Sequence, residues 1–541
     1  MRQIQLYDTT LRDGAQGEGI SFSVVDKLHI TQKLDELGVH FIEGGWPGSN
    51  PKDVEFFKKA QSLVLSHAEL VAFGSTRRLK TKAEADANLL SLASAGVKVV
   101  TIVGKSSELQ VTQVLETTLD ENLSMIADSI GYLRARGLTV FLDAEHFFDG
   151  FKANPSYSLR VVEVAAEAGA SCVVLCDTNG GAMPDEITAV INAVRQVSGV
   201  PLGIHAHNDG ELAVANTLAA VKAGVTQVQG TINGYGERCG NANLCSVIPD
   251  LKLKMGINCI SDEQLAKLTE VSHYVSEVAN LIPDAFSPYV GSSAFSHKGG
   301  LHVSGLRKWA ESYQHIDPTR VGNKPRVLVS ELSGKENIIY KARERGLDLP
   351  PSGKEARKLL EQVKLLESRG FQYENAEASF ELLLHRAKPE YQPPFELVDF
   401  MVVVEKRRRP PTQKNIEEML SEAVVKVKVG NEIMHTAAEG NGPVNALDGA
   451  LRKALLQFYP SLAQVKLVDY KVRILEESVG TTAQVRVLIE SSDGVEEWRT
   501  VGSSTNKIHC HCHFYFIFPR HCHIYSHVHP HLSILKIRCT A

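Results

Sequence analysis

The segment IQLYDTTLRDGAQGEGISFSVVDKLHITQKLDELGVHFIEGG, from Ile4 to Gly45, passes from a strand pattern through a helix pattern to a second strand pattern. Its first and last parts are short apolar or β-branched runs, which favour buried strands. The middle part predicts a helix near Ser23 to Leu37 that ends at Gly38. A strand, a helix and a strand in this order form the repeating unit of a parallel α/β fold.

Strand-like runs of this kind recur along the first half of the chain, with helical patterns between them. There are eight: IQLYDTT (from Ile4), HFIEGG (His40), ELVAFG (Glu69), VVTIVG (Val99), TVFLDAE (Thr139), CVVLCDT (Cys172), LGIHAH (Leu202) and TQVQGTI (Thr226). Eight alternating units predict a (β/α)8 TIM barrel, which we assign to residues 1–275.

Polar residues support the barrel independently of the strand count, because they fall at or just after the carboxyl ends of the predicted strands. They are Asp13, Glu43, Glu145, Asp177, Thr178, His205, His207, Asn233 and Glu237. That end of a TIM barrel carries the catalytic residues.

The strand rhythm stops after the barrel, and residues 276–385 read as helical linker subdomains. Alternation returns in FELVDFMVVVEK, EAVVKVKVG, VDYKVRILEE and TAQVRVLIESS, with one helical segment, ALDGALRKALLQF, among them. These patterns predict a C-terminal α+β regulatory or dimerisation domain over residues 390–505.

The composition is that of an ordinary folded protein, since 43% of the 541 residues are hydrophobic and 22% are charged. The net charge of -5 gives no reason to expect nucleic acid or an anionic membrane as a partner. We find no signal region and no apolar run long enough to span a bilayer, so we expect a cytoplasmic location. The five cysteines of the first 500 residues are expected to be reduced thiols.

Two motifs on the predicted rim carry chemistry. In HAHND, His205 and His207 stand two residues apart on one strand, so both side chains share a face and can reach one ion. In LRDGAQ, Asp13 adds a carboxylate beside the guanidinium of Arg12. This set suits a divalent cation with open positions, and ligand type alone leaves Mn2+, Mg2+, Zn2+ and Fe2+ open. The alternative is a pair of barrel-lining histidines held by hydrogen bonds.

A Gly-rich turn, NGYGERCGNANL from Asn233 to Leu244, leads from the eighth strand into a helix. Such an N-terminus can bind an anion, although loops this short are as often only tight turns. Cys239 has no evident base partner, which favours a packed or metal-adjacent thiol over a nucleophile. Asn208 and Asp209 are candidates to orient the imidazoles.

Together these motifs resemble those of the family of 2-isopropylmalate, homocitrate and citramalate synthases. The pattern L-R-[D/E]-G-x-Q is met by residues 11–16, H-x-H-N-D by residues 205–209, and G-x-G-E-R-x-G-N by residues 234–241. The resemblance covers about residues 1 to 505. Two departures from the broader pattern, IEGGWPGSNPKD from Ile42 and Glu211 in place of glycine, are typical of the long-form citramalate group.

The resemblance implies a metal site and a set of catalytic and substrate-binding residues. The metal, Mn2+ or Mg2+ ahead of Zn2+, would be bound by Asp13, His205 and His207, with Asn241 as a further ligand or near neighbour. The implied catalytic residues are Arg12, Glu145, His302 and Tyr313, and the implied substrate-binding residues are Arg12, Gln16 and Thr178. Family members supply the counterparts of His302 and Tyr313 from the partner subunit, which implies a homodimer.

The implied reaction is a Claisen-type condensation of acetyl-CoA with a small 2-oxo acid, pyruvate, to give (R)-citramalate and CoA for isoleucine biosynthesis. The base is His302 with Tyr313, or a water held by Glu145; the sequence leaves both open. The C-terminal segment GNGPVNALDGAL resembles the regulatory domain of these synthases, with isoleucine as the expected effector, and the alternative is that this domain only dimerises.

Three other interpretations stay open from the sequence. The same fold serves 2-isopropylmalate or homocitrate synthesis, and it also serves lyases of the hydroxymethylglutaryl-CoA kind. A different class is an inactive, amino-acid-sensing binding protein, against which the intact Arg12, Asp13, Glu145, His205 and His207 argue.

The family pattern stops before the last part of the chain. Residues 506–541 hold eight of the 20 histidines and four of the nine cysteines. One hypothesis is an added metal-binding tail, although the H-C-H-C-H alternation lacks ordinary zinc-site spacing. We favour a frameshift near Ile508, against which the same tail in several independent isolates would count.

Overall fold

A computed structural model of the protein describes residues 4–330, 333–344, 354–374, 376–388, 391–406, 419–475 and 483–504. The chain divides into two compact units, of which the first comprises Met1–Ser296 and Gln314–Arg326 and the second His297–Tyr313 and Val327–Ala541. Across the described residues, no helix is both long and apolar enough to cross a membrane. The cytoplasmic location stays a prediction, and the His/Cys-rich tail lies outside the described residues.

Eight parallel strands of the first unit close into a barrel in chain order, which confirms the predicted fold class. Each begins within two residues of the run that predicted it. Their bounds are β1 Gln5–Asp8, β2 Phe41–Gly45, β3 Glu69–Ser75, β4 Val99–Lys105, β5 Thr139–Glu145, β6 Cys172–Asp177, β7 Leu202–Ala206 and β8 Gln227–Gly230.

The helices of the first unit alternate with these strands. The first of them shows why the sequence folds in this way: Ser23 and Asp26 form a capping box at its start, and Gly38 ends it at φ 88°, where glycine is favoured. Their bounds are α1 Val24–Leu37, α2 Pro51–Ala60, α3 Ala87–Ala93, α4 Leu119–Arg134, α5 Phe147–Ala153, α6 Pro155–Glu167, α7 Pro184–Val197, α8 Ala213–Ala223, α9 Leu244–Pro249, α10 Asp262–Leu265 and α11 Leu268–Val278.

Strand alternation gives the barrel two separate apolar clusters. The larger joins the outward-facing strand residues to the helices, and burial of each large aliphatic side chain contributes about 1.5–3 kcal/mol. The smaller holds Tyr7, Val71, Val99, Phe141, Cys172, Val174 and Cys176. The barrel interior therefore has an apolar core of its own, and in a TIM barrel the catalytic residues lie at the carboxyl ends of the strands.

The second unit begins with helices and continues into two antiparallel sheets. Two-residue strands, β9 (Ser296–His297) and β10 (Arg326–Val327), fall at the borders of the two units. The helices are α12 Gly300–Lys308, α13 Lys335–Glu344, α14 Lys354–Ser368, α15 Glu377–Arg386 and α16 Pro443–Leu455. The strands are β11 Glu396–Lys406, β12 Met419–Val429, β13 Glu432–Gly440, β14 Lys466–Ile474, β15 Val485–Ser492 and β16 Glu497–Ser504.

The C-terminal part of this unit is an α+β domain, as predicted, but with two strands that the patterns did not indicate. The sheets are β11-β12-β13 and β14-β15-β16, and α16 shares one apolar cluster with residues of β12 and β15. The missed strands are β13 and β16. In β13 most side chains are exposed or half-buried, so burial imposes no apolar alternation on its sequence.

Candidate active site

The ends of β1 and β7 bring three potential metal ligands together. Asp13 follows β1 and begins a short 3-10 turn, Gly14–Gln16. His205 lies within β7, and His207 follows the last residue of that strand. The three side chains are buried, with exposed fractions of 4%, 5% and 8%. The barrel mouth therefore assembles the cluster predicted from the two motifs.

The distances within this cluster match those between ligands of one cation. His205 Nε2 lies 3.4 Å from Asp13 Oδ2 and 3.3 Å from His207 Nε2. One ligand atom from each residue falls within 4.8 Å of the others. Adjacent ligands at about 2.1 Å from a metal stand about 3.0 Å apart in octahedral and about 3.4 Å apart in tetrahedral geometry. The donor set therefore fits a divalent cation with little rearrangement.

The protonation states also suit metal binding. Burial, and then the neighbouring His205, lower the pKa of His207 to about 4, so its imidazole is neutral at physiological pH. Burial opposes ionisation of Asp13, but Arg12 and the two imidazoles outweigh it and hold the pKa of this carboxyl below its usual value. A neutral imidazole and an ionised carboxylate are the forms that bind metals.

Asn241 borders the cluster from the loop after β8. Its Nδ2 donates to Asp13 Oδ1 at 3.2 Å and to Tyr235 O at 3.0 Å. Asn241 Oδ1 and His207 Nδ1 are both buried, and neither finds a hydrogen-bond partner among the described residues. A buried amide oxygen without a partner is costly unless something binds it. Asn241 Oδ1 is therefore a candidate further ligand, as the resemblance implied.

Two glycines allow this loop to approach the cluster. A Cβ on Gly240, at φ 85°, would lie 1.9 Å from Gly234 O. A Cβ on Gly236, at φ 155°, would lie 2.2 Å from Asn241 Nδ2. Any side chain at either position would force the loop, and Asn241 with it, to move.

Arg12 is held rigidly beside Asp13. Its Nε donates to Glu43 Oε1 at 2.5 Å, its Nη1 lies 3.3 Å from Asp13 Oδ2, and its guanidinium lies 3.9 Å from the centre of the Phe73 ring. Trp46 packs edge-on against the same Phe73 ring, with the two ring centres 5.5 Å apart. Two of the five N–H groups of Arg12 face these carboxylates, which leaves about three for a substrate oxygen.

The other predicted barrel residues lie at the same rim. Glu145 ends β5 and forms an ion pair with Lys105 at the end of β4. Thr178 Oγ1 accepts a hydrogen bond of 2.7 Å from the backbone N–H of His146, so its own hydroxyl hydrogen can be donated. Gln16 is exposed in the turn after Asp13. Glu145 thus pairs with Lys105, whereas Arg12 pairs with Asp13 and Glu43.

His302 and Tyr313 belong to the second unit, and the structure brings them together there. His302 lies in α12, and Tyr313 follows a 3-10 turn, Ala310–Ser312. Their rings are stacked with centres 4.3 Å apart at an interplanar angle of 21°. Both side chains are exposed. Their predicted origin in the partner subunit stays a prediction.

Three family models match the chain in succession. A model described as HMGL-like matches residues 3–275, one described as homocitrate synthase post-HMGL domain-like matches residues 289–370, and one described as LeuA allosteric (dimerisation) domain matches residues 374–512. The first alone spans half of the chain.

Curated relatives match over nearly the full length. The (R)-citramalate synthase of Geobacter sulfurreducens is 55% identical over 94% of this chain and 95% of its own. The chain belongs to the (R)-citramalate synthase family. The family member from Aquifex aeolicus is 51% identical over the same shares. Among solved structures, hydroxymethylglutaryl-CoA lyase from Pseudomonas aeruginosa is 21% identical with a TM-score of 0.44, covering 52% of this chain and 95% of that chain.

Asn208 and Asp209 of the H-x-H-N-D motif, which were candidates to orient the imidazoles, have other partners in this (R)-citramalate synthase family member. Asn208 Oδ1 accepts from the backbone N–H of Ala213. Asp209 forms a two-pronged ion pair with Arg238, which also donates to Thr178 O at 2.8 Å. These contacts tie together the loops that follow β6, β7 and β8.

Gln229, which lies outside the sequence motifs, contacts the His205 imidazole. Gln229 Oε1 lies 2.9 Å from His205 Nδ1, and Gln229 Nε2 donates to Asp143 Oδ1 at 3.1 Å. A signal was present: the strand sequence Gln-Val-Gln in β8 places Gln227 and Gln229 on one face, and both are fully buried. Buried polar residues on the inward face of a barrel strand are candidates for contact with ligands at the mouth, and of these two only Gln229 makes that contact.

Proposed function

We infer that the chain is an acyltransferase that condenses acetyl-CoA with pyruvate and hydrolyses the resulting thioester, giving (R)-citramalate and CoA. The observation that carries this inference is the 55% identity, over 94% of the chain, to an (R)-citramalate synthase. In the balanced reaction, acetyl-CoA, pyruvate and water give citramalate and CoA. The new carbon–carbon bond joins the acetyl methyl carbon to the keto carbon of pyruvate.

We propose that Asp13, His205 and His207 hold the divalent cation, with Asn241 Oδ1 as a fourth protein ligand. The donor set alone does not choose the ion, and the family resemblance implies Mn2+ or Mg2+, with Zn2+ as the remaining candidate. When bound, the cation supplies Lewis-acid polarisation of the 2-oxo acid. The ligand spacing and the unpartnered Asn241 Oδ1 support this assignment.

Arg12 is proposed to stabilise negative charge on the keto oxygen as the carbon–carbon bond forms. Its support is geometric: the guanidinium is fixed by Glu43 and Phe73, so it is already oriented before substrate binds. Burial opposes its charge, but Glu43 and Asp13 outweigh burial and keep the pKa of Arg12 above its usual value. Arg12 is thus a permanent cation at the mouth.

The remaining substrate contacts are proposed from the rim. Thr178 can donate its hydroxyl hydrogen to the pyruvate carboxylate, and Gln16 is accessible from solvent in the turn next to Asp13. Glu145 is held by Lys105 and can position a water. For the base that removes the acetyl methyl proton, we propose the partner subunit's His302, as the resemblance implies. In this chain the His302 imidazole is exposed, and its ring is stacked on Tyr313.

We further propose a homodimer in which the C-terminal domain binds isoleucine. The match of residues 374–512 to the LeuA allosteric (dimerisation) domain supports a regulatory and dimerising role for this region. Isoleucine as the effector follows from the proposed product, since it is the end product of that route. Addition of isoleucine should lower the rate of CoA release; no response would leave dimerisation as the role of the domain.

The test of the reaction is CoA release from acetyl-CoA, measured with a thiol reagent, with pyruvate, 2-oxoisovalerate and 2-oxoglutarate offered separately. We expect activity with pyruvate, its loss in EDTA and its return with Mn2+. Asp13→Asn should abolish activity, whereas Asp149→Asn, which changes an exposed aspartate of α5, should not. Activity with 2-oxoisovalerate alone would contradict the substrate, and EDTA-resistant activity would contradict the metal.

A further inference from the structure

Strand register places an amide directly beside one of the proposed metal ligands. In the barrel, His205 of β7 is the register partner of Gln229 of β8. Gln229 Oε1 lies 2.9 Å from His205 Nδ1, and the Gln229 side chain is fully buried. The contact therefore comes from the barrel framework and not from a mobile loop.

The orientation of this amide is set from its other end. Gln229 Nε2 donates to Asp143 Oδ1 at 3.1 Å, and Asp143, on β5, is itself buried with 4% of its surface exposed. Asp143 Oδ1 can accept this hydrogen bond whether the carboxyl is ionised or neutral, since a neutral carboxyl keeps a carbonyl oxygen. With its N–H facing Asp143, the amide presents its oxygen to His205. An amide oxygen can only accept, so His205 Nδ1 must carry the hydrogen.

The tautomer of His205 follows from this arrangement. With the hydrogen on Nδ1, the lone pair of the neutral ring lies on Nε2. Nε2 is the atom that faces Asp13 Oδ2 at 3.4 Å and His207 Nε2 at 3.3 Å. The reversed amide would donate to Nδ1 and leave the hydrogen on Nε2, where it would block a cation.

We propose that Gln229, anchored by Asp143, is a positioning residue that fixes His205 in the tautomer and orientation required for binding the divalent cation. This inference rests on the proposed function, because it takes His205 as a metal ligand. It extends the site from the rim into the barrel, through two strands that supply no proposed ligand.

The same strand offers a matched control. Gln227 lies two residues before Gln229, so it shares the inward face of β8, and it is equally buried. Neither polar atom of the Gln227 side chain has a hydrogen-bond partner among the described residues. Gln227→Met and Gln229→Met thus make the same change on the same face, and only the second removes the contact to His205.

The experiment measures Mn2+ binding by calorimetry to the full chain after removal of metal with EDTA, and thermal unfolding confirms that each variant is folded. Gln229→Met should weaken Mn2+ binding by about 10- to 100-fold, the usual effect of removing a partner of a metal-bound histidine. Gln227→Met should leave it within about threefold of the parent. Gln229→Glu, which keeps an acceptor for His205 Nδ1–H, should bind more tightly than Gln229→Met.

Asp143→Leu tests the anchor separately. It leaves Gln229 in place but lets the amide reverse, so Mn2+ binding should weaken by less than in Gln229→Met. This variant also distinguishes a relay of two residues from a single contact. Mn2+ binding as tight as in the parent would show that Asp143 does not anchor the amide and would overturn that part of the proposal.

Several results would overturn the role of Gln229. Parental affinity in Gln229→Met, or equal loss in Gln227→Met and Gln229→Met, would show that the contact to His205 does not matter for the ion. Gln229→Glu no better than Gln229→Met would contradict the acceptor role. If the unaltered protein itself bound no Mn2+, the proposed metal site would fail, and that failure is distinct from parental binding in the variants.

Discussion

Replacement of Arg12 by glutamine separates charge stabilisation from metal binding. The guanidinium lies over Phe73 and donates to Glu43, so glutamine cannot reproduce its position or its charge. Removal of one fixed donor to a developing oxyanion costs about 2.7–4 kcal/mol, which is about 10²- to 10³-fold in kcat. We therefore expect kcat of Arg12→Gln to fall by that factor. Arg12→Lys should recover only part of it, because an ammonium lacks the fork of hydrogen-bond donors.

Loss of the arginine also leaves a buried carboxylate without its cation. Glu43 is fully buried, and its remaining hydrogen bond comes from the Tyr7 hydroxyl at 2.5 Å. Breaking a buried ion pair costs about 3–5 kcal/mol, so Arg12→Gln should also lower the unfolding temperature. Activity must therefore be expressed per folded molecule, from circular dichroism at the assay temperature.

The assay for this prediction is CoA release at saturating pyruvate, with Mn2+ affinity measured in parallel. Arg12→Gln should retain or strengthen Mn2+ binding, because a positive charge 3.3 Å from Asp13 Oδ2 is removed. The control is Arg77→Gln, which changes another buried arginine that pairs with two carboxylates, Glu121 and Asp128, and should leave kcat unchanged. The reasoning is refuted if kcat of Arg12→Gln stays within tenfold of the parent, or if its Mn2+ binding is lost.

Three further perturbations test the frame around the site. Lys27→Met leaves the buried Asp53 carboxylate, 2.5 Å from Lys27 Nζ, without its cation, and should lower the free energy of unfolding of the first unit by about 3–5 kcal/mol in urea. The double variant with Asp53→Leu should lose less stability, and an equal loss would contradict the pairing. Burial, and then Glu43, raise the pKa of Asp143 to about 8, so the metal-free fold keeps a proton that the unfolded chain releases above about pH 4. The stabilisation from this group is fully present below about pH 4 and is lost as the pH rises towards 8. The free energy of unfolding of Asp143→Asn should therefore increase relative to that of the parent by up to about 1.4 kcal/mol per pH unit from pH 5 to 8. A difference in thermal unfolding that stays constant over this range would argue against it. Gly240→Ala should weaken Mn2+ binding at least tenfold in calorimetry, because its Cβ would meet a backbone oxygen at 1.9 Å; unchanged affinity would show that the loop can yield.

The barrel could be predicted because each element is specified locally. The helix α1 begins with a capping box at Ser23 and ends at Gly38, and both signals lie in the sequence that they govern. The strands of a parallel barrel are buried on both faces, so they read as continuous apolar runs. In β13 one face is exposed, and in β16 only the three consecutive residues Thr500, Val501 and Gly502 are buried, so neither strand shows a clear apolar alternation. Their assignment depends on pairing with β12 and β15, which local patterns do not specify.

In the candidate site, too, the contacts specified locally could be predicted from the sequence, and those between distant strands could not. His205 and His207 are related by the two-residue strand repeat, and Asp13 by its place after a strand, so their meeting follows from the fold class. The contact between Gln229 and Asp143 joins β8 to β5 across the barrel interior. It depends on the register in which the barrel closes, and no spacing within one segment encodes it.

Arg12 packs on Phe73, and Phe73 packs on Trp46, so the fluorescence of Trp46 can report on events at the barrel mouth. The chain has three tryptophans, Trp46, Trp309 and Trp498, so two phenylalanine substitutions would leave Trp46 as the only indole. Its ring stands 5.5 Å from Phe73, on which the guanidinium rests. Fluorescence from that single indole would follow the arrival of a 2-oxo acid in stopped-flow experiments, before any CoA is released.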